Sequence, residues 1–206
     1  MIDFYTWSTP NGRKVSIMLE ECALPYRMHK VNIGTNTEQF APEYLKINPN
    51  GKIPSIVDPD GPGGKPIAMM ESGAILIYLA DKTKRFFPEK IKYEVLQWLM
   101  FQMGGVGPMF GQAHHFMRAK KDEIPYGSER YGNEAKRLYG VMDTRLKGSD
   151  FFAGNEYSIA DMAIYPWVAR HEWHRVDLAQ FAAVKRWYDK VGARPAVAKG
   201  MAVPPV

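Results

Sequence analysis

The sequence predicts a two-part chain: a mixed α/β first half of order βαβ-ββα, then an all-helical second half. Three observations predict it. Residues 1–82 mix strand-like and helix-like stretches, whereas residues 91–200 read almost entirely at helical spacing. Between them, Lys82-Thr-Lys-Arg-Phe-Phe-Pro88-Glu is charged and carries a proline, which suits a linker.

The first half begins with a short strand over Asp3–Trp7. Thr9 then precedes Pro10, the pairing of a helix N-cap with proline at the first helical position. Val15, Met18, Leu19 and Cys22 follow at i, i+3, i+4 and i+7, which makes one apolar helix face. Leu24-Pro25 ends that helix, and Arg27–Ile33 reads as a second strand. Ser55–Asp58 and Ile67–Met70 read as a hairpin whose long tip, Pro59-Asp-Gly-Pro-Gly-Gly-Lys-Pro66, is dense in turn formers. Ser72 is expected to cap a helix through Ala74, Ile75, Tyr78 and Leu79.

In the second half, Tyr93–Met103 is helical and apolar, and Gly104-Gly105-Val106-Gly107-Pro108 is expected to interrupt it. Arg130–Leu146 is a long helix with Tyr131, Ala135, Leu138, Met142 and Leu146 on one face. Ser158-Ile-Ala-Asp161 has the spacing of a capping box, with Tyr157 and Met162 placed for a hydrophobic staple. Pro166 is expected to kink the helix that follows, and a last helix runs from Ala182 to Val191.

Composition narrows the function classes. Hydrophobic residues make up 46% and charged residues 24%, an ordinary globular balance that argues against disorder. The longest apolar run, Ala74–Ala80, is far short of the ~20 residues of a membrane span, and Met1-Ile2-Asp3-Phe4 does not read as a secretory signal. A cytoplasmic protein that binds no membrane is expected. The net charge of +5 is scattered, and its densest clusters (Lys82, Lys84, Arg85; Arg118, Lys120, Lys121) are short. That pattern argues against a nucleic-acid partner and suits a small anion or a solvated surface. A single cysteine, Cys22, excludes an internal disulfide, a CxxC motif and a cysteine-built zinc site. On its apolar face it reads as a small buried hydrophobe. His114-His115 point about 100° apart on a helix, and His171-Glu-Trp-His174 lacks i, i+4 histidines, so no metal is expected. Trp98, Phe101, Phe110, Trp167, Trp173 and Trp187 read as core and interface.

In this order and spacing, several motifs together resemble a known family. They are Thr9-Pro10-Asn11-Gly12, Asn48-Pro49-Asn50-Gly51-Lys52-Ile53-Pro54, Glu71-Ser72-Gly73-Ala74-Ile75, Gly104-Gly105-Val106-Gly107-Pro108-Met109, Ile124-Pro125-Tyr126, Ser158-Ile-Ala-Asp161 and Arg194-Pro195-Ala196. The pattern is similar to the cytosolic glutathione S-transferases, and within them to the bacterial Nu-class enzymes that include disulfide-bond oxidoreductases. The resemblance implies a thioredoxin-like glutathione-binding domain over 1–83, a linker over 84–91 and an all-helical domain over 92–206. It also implies a homodimer that takes one or two glutathiones per site as co-substrate, with no metal.

The resemblance assigns roles that the residues alone leave open. Thr9 is either a cap worth about 1 kcal/mol or a hydroxyl that donates to a thiolate. By resemblance Thr9 and Asn11 line the sulfur site, with Ser8 and Tyr5 as rival hydroxyls. Ile53-Pro54 is an ordinary X-Pro bond by base rate, and cis by resemblance, presenting the Ile53 backbone to the ligand's cysteine. Lys52 is either a surface lysine or a partner of the glycyl carboxylate. Ser72, at a helix N-terminus, suits the γ-glutamyl carboxylate, and Glu71 suits its ammonium. By resemblance Gln39 touches glutathione, and Arg130 binds a carboxylate of a second one. Pro54, Ser158 and Asp161 are structural. The implied activity is reduction of small disulfides by thiols of bound glutathione. The alternatives are conjugation of glutathione to electrophiles and a non-catalytic regulator of the same fold.

Overall fold

A computed structural model gives the fold. The described residues are 1–120 and 122–205; Lys121, counted above in a basic cluster, and Val206 lie outside them. The chain forms two compact units.

The first unit holds residues 1–85 and the segment from Pro195 onward. Its sheet takes β1 (Ile2–Thr6), β2 (Tyr26–Lys30), β3 (Ser55–Asp58) and β4 (Ile67–Met70) in the order β2-β1-β3-β4. β1 and β2 are parallel, so a crossover must join them, and α1 (Pro10–Glu21) supplies it. β3 and β4 are antiparallel across the turn-rich tip. Ile2, Phe4 and Thr6 point to the buried face, where Val15, Ile17, Met18 and Leu19 of α1 are fully enclosed. Ile75, Leu76 and Leu79 of α3 (Ser72–Thr83) are buried in the same unit. Each such aliphatic burial stabilises by about 1.5–3 kcal/mol. A second, smaller cluster joins Val31, Tyr44 and Ile53 with Tyr5, Trp7 and Ile33. Tyr44 comes from α2 (Pro42–Ile47), a six-residue helix that the sequence pattern did not announce.

The second unit, Phe86–Arg194, is helical: α4 (Lys92–Phe101), α5 (Gly107–His114), α6 (Pro125–Lys147), α7 (Ile159–Val168) and α8 (Ala182–Gly192). The glycine run does not break the helix as expected. A π-helical stretch, Gln102–Val106, carries the backbone from α4 into α5, and Pro108 follows it directly in the first turn of α5. α6 starts at Pro125 and not at Arg130, so Arg130 lies inside the helix. Phe110 stacks on Tyr139 with ring centroids 4.8 Å apart, and Trp187 meets Phe152 edge-on at 5.0 Å. Pro166 lies inside α7, which ends two residues later.

The chain does not stay in the helical unit to its end. α9 (Pro195–Met201) groups with the first unit, which departs from the expected 92–206 span. The physical reason is close packing: a Cβ on Gly200 would lie 2.5 Å from the Ile17 Cα, and Ser16 Oγ donates to the Gly200 carbonyl at 2.7 Å. Among the described residues no helix is long and apolar enough to cross a membrane.

Candidate functional site

The start of α1 is built from β1 outward. A Cβ on Gly12 would lie 2.2 Å from Thr6 Oγ1 and 2.8 Å from the Trp7 carbonyl, so only glycine lets this first turn sit so close to the strand. Thr9 is the N-cap, and its Oγ1 accepts from the Gly12 N–H at 3.3 Å. A hydroxyl has one hydrogen and two lone pairs, so capping and donating to a ligand are compatible. Asn11 follows on the first turn, half-buried. Of the rival hydroxyls, Ser8 accepts from Arg13 Nη2 at 3.3 Å. The Tyr5 ring stacks on His29 at 4.6 Å, among the Val31, Tyr44 and Ile53 cluster. Its pKa is raised, chiefly by burial, which disfavours an anionic role.

The loop before β3 is clamped from below. The Ile53-Pro54 bond is cis. The β3 ladder begins at Ser55, and the Ile53 N–H and C=O have no backbone partner among the described residues. The Lys52 carbonyl accepts from Tyr44 Oη at 2.5 Å and from Asn48 Nδ2 at 2.7 Å. Asn48 Nδ2 and Tyr44 Oη also reach Ser55 Oγ at 3.1 and 3.0 Å. These two buried side chains fix the backbone on either side of Ile53-Pro54. The Lys52 side chain itself is exposed. Gln39, in a short 3₁₀ turn, is buried, and its Oε1 has no hydrogen-bond partner among the described residues.

α3 opens differently from the expectation. Glu71, not Ser72, is the N-cap, with φ 67° and ψ 111°, and its side chain makes no capping hydrogen bond. That backbone position is sparsely populated for a residue with a Cβ, and such strain gathers at functional sites. Ser72 is the first helical residue, buried, and Glu71 is exposed beside it. Lys14 of α1 is 1% exposed and its Nζ lies 3.3 Å from Ser72 Oγ. Burial pulls the Lys14 ammonium down to about 7, against the opposing charge of Glu71.

Cys22 is the C-cap of α1 and half-buried, more open than the small buried hydrophobe expected there. Its Sγ lies 3.4 Å from Thr83 Oγ1, and burial raises its pKa. A 12-residue helix separates it from Thr9, a rise of about 18 Å.

Thr9, Asn11, Gln39, Lys52, Ile53, Pro54, Glu71 and Ser72 all belong to the first unit, at strand ends and helix starts. Arg130, Ser158 and Asp161 belong to the second. Arg130 is exposed on the second turn of α6, 6.0 Å from the Tyr131 ring. Ser158 and Asp161 form the capping box of α7. The buried Asp161 accepts from Phe152 N, Ser158 N, Ser158 Oγ and Trp187 Nε1 at 2.9–3.1 Å. Tyr44 and Lys14 were not singled out from sequence, and Asn48 entered only as the first residue of a family motif. For Lys14 a signal existed: it precedes Met18 by four residues and so lies on the buried face.

Comparison with known proteins accounts for this arrangement. The chain is 48% identical over 204 residues to the disulfide-bond oxidoreductase YfcG of Escherichia coli, covering 98% of this chain and 94% of that one. A glutathione transferase from Burkholderia graminis, crystallised with two glutathione molecules per subunit, superposes with a TM-score of 0.92 at 46% identity, covering 99% of this chain and 88% of that one. A second, from Pseudomonas putida, crystallised with one glutathione disulfide per subunit, gives 0.93 at 47% identity, covering 98% and 91%. The N-terminal domain family of glutathione S-transferase matches residues 9–82, and its C-terminal domain family matches residues 94–195. With both halves matched in order, this chain belongs to the glutathione S-transferase family.

Proposed function

We propose that the protein is a cytoplasmic, homodimeric, glutathione-dependent disulfide-bond oxidoreductase. The observation that carries this reading is the placement of the single thiol: Cys22 stands at the far end of α1 from Thr9, beside Thr83. The chain has no second cysteine with which to exchange a disulfide. Both thiols of the reaction therefore come from glutathione, as the two bound molecules in the Burkholderia relative and the bound disulfide in the Pseudomonas relative support.

In this reading the Ile53 backbone pairs with the cysteinyl unit of glutathione, in the manner of one more strand. Ser72 and the start of α3 hold the γ-glutamyl carboxylate, Glu71 its ammonium, and Lys52 the glycyl carboxylate. The unmet acceptor of Gln39 takes a donor from the ligand. Arg130 binds a carboxylate of the second glutathione. Thr9 and Asn11 donate hydrogen bonds to sulfur, which favours the thiolate over the thiol. That thiolate attacks one sulfur of the substrate disulfide. The S–S bond breaks, the departing sulfur takes the electron pair and then a proton, and a mixed disulfide with glutathione remains. The second glutathione thiolate attacks the glutathione sulfur of that mixed disulfide. It releases the other substrate thiol and leaves glutathione disulfide. Two glutathione thiols are oxidised, one substrate disulfide is reduced, and the two protons pass to the products. Negative charge only moves from sulfur to sulfur, so neutral donors such as a hydroxyl and an amide suffice. On α4, Tyr93 is 80% and Met100 51% exposed, apolar surface of the kind a dimer covers.

Steady-state kinetics at equal glutathione tests the reading. Reduction of a small dithiol disulfide is expected to exceed conjugation of a chlorodinitrobenzene-type substrate. Thr9→Ala and Asn11→Ala should each lower turnover more than stability, while Cys22→Ala keeps most of the activity. Conjugation dominating by about tenfold, a step of 1.4 kcal/mol in barrier, would assign the site to electrophile conjugation instead.

A further inference from the structure

Lys14 places a chargeable group on the buried face of α1. Its neighbours on the helix, Val15, Met18 and Leu19, are fully enclosed apolar side chains. Burying an ammonium costs free energy that an apolar side chain of similar volume avoids, so stability alone does not explain a lysine here. Its Nζ reaches Ser72 Oγ across 58 residues of sequence, at the positive end of a 12-residue helix. An ammonium can only donate, so it occupies a lone pair of Oγ and obliges that hydroxyl to turn its hydrogen toward another acceptor.

We propose that Lys14 is a positioning residue for the reaction above: it orients the Ser72 hydroxyl as a donor and supplies the positive charge behind it for the α-carboxylate of the γ-glutamyl group. The proposal rests on the reading of this site as a glutathione site. It differs from a packing role in one respect, because only a carboxylate at that spot senses Lys14. Burial lowers the Lys14 pKa to about 7, and the charge of Glu71 works against that shift.

Calorimetric titration tests it with two ligands, glutathione and γ-aminobutyryl-cysteinyl-glycine, which lacks the α-carboxylate. Wild type should prefer glutathione by about tenfold or more, the scale of a charge-assisted hydrogen bond. Lys14→Met should bind the two within about twofold of each other, and Lys14→Arg should restore part of the preference. Thermal melts of the free variants establish that each is folded, and Lys14→Gln carries the same comparison if Lys14→Met is not. A Lys14→Met protein that keeps the full preference, or weakens toward both ligands equally, overturns the proposal and leaves the glutathione site standing. Wild type that binds neither ligand overturns both.

Discussion

Two helices of this protein begin at a serine, and they begin in opposite ways. At α7, Ser158 is the N-cap, its Oγ accepts from the Ala160 N–H, and Asp161 returns to the Ser158 N–H. Every donor around Asp161 is spent on the fold. At α3 the serine stands one residue later, and the cap is a left-turned Glu71 whose side chain does not close the first turn. Four N–H groups at a helix start need acceptors. α7 finds them on Phe86 and Ser158; at α3 the cap's carbonyl accepts from the Ile75 N–H, and its side chain caps nothing. The contrast separates a serine that caps its helix from one that stands inside the first turn.

The largest expected effect comes from opening the closed start. Asp161→Ala would strand four donors in the core, from Phe152, Ser158 (twice) and Trp187. Urea unfolding should show a loss of about 3–5 kcal/mol. A loss below 1 kcal/mol would mean that water replaces the carboxylate.

Acid sharpens the contrast next, through a buried base of the helical unit. His174 is 2% exposed, with Tyr139 Oη 3.2 Å from its Nδ1. Burial first, and then the positive surroundings of His114, His171 and Arg170, lower its pKa to about 3. The unfolded imidazole titrates near 6.5. Below that pH the unfolded chain takes a proton that the folded chain refuses, so stability falls as pH falls toward 3. The slope approaches about 1.4 kcal/mol per pH unit, or about 2 kcal/mol between pH 6.5 and 5. Urea midpoints at pH 7 and pH 5 measure it, and His174→Phe should flatten the difference. An equal slope in both proteins would place the titration elsewhere.

The smallest effect compares the serines directly. Ser158→Ala should cost about 1–2 kcal/mol of stability and leave the KM for glutathione unchanged. Ser72→Ala should do the reverse, raising KM about tenfold with less than about 1 kcal/mol lost. Matching profiles for the two variants would erase the distinction drawn here.

Legibility in the sequence follows the same divide. Motifs with partners near in sequence were readable: Thr9-Pro10, Ser158-Ile-Ala-Asp161, and the hairpin of Ser55–Asp58 with Ile67–Met70 across its turn-rich tip. Features set by distant packing were not. α2 is too short for a period to show, yet it delivers Tyr44 to Lys52 and Ser55. The glycines at 104–107 looked like a break, but a π turn absorbs them. Arg130 looked like a helix start because nothing polar at Ile124 signals the cap before Pro125. At the candidate site, the residue types at Thr9, Ile53-Pro54 and Glu71-Ser72 were legible through the family resemblance. The left-handed φ of Glu71, the burial of Gln39 and the reach of Lys14 to Ser72 are properties of the folded chain.

The return of α9 has its own consequence for how the molecule comes into being. The chain leaves the first unit after Arg85 and re-enters it at Pro195, so the helical unit is an insertion within a discontinuous one. Ile17 and Ser16 wait for Gly200, 184 residues downstream of Ser16. On a ribosome, where chains emerge at about 5–20 residues per second, that interval lasts roughly ten seconds or more. Throughout it the nascent first unit carries an uncovered flank on α1, and the inserted helices have time to fold before the unit that brackets them is complete.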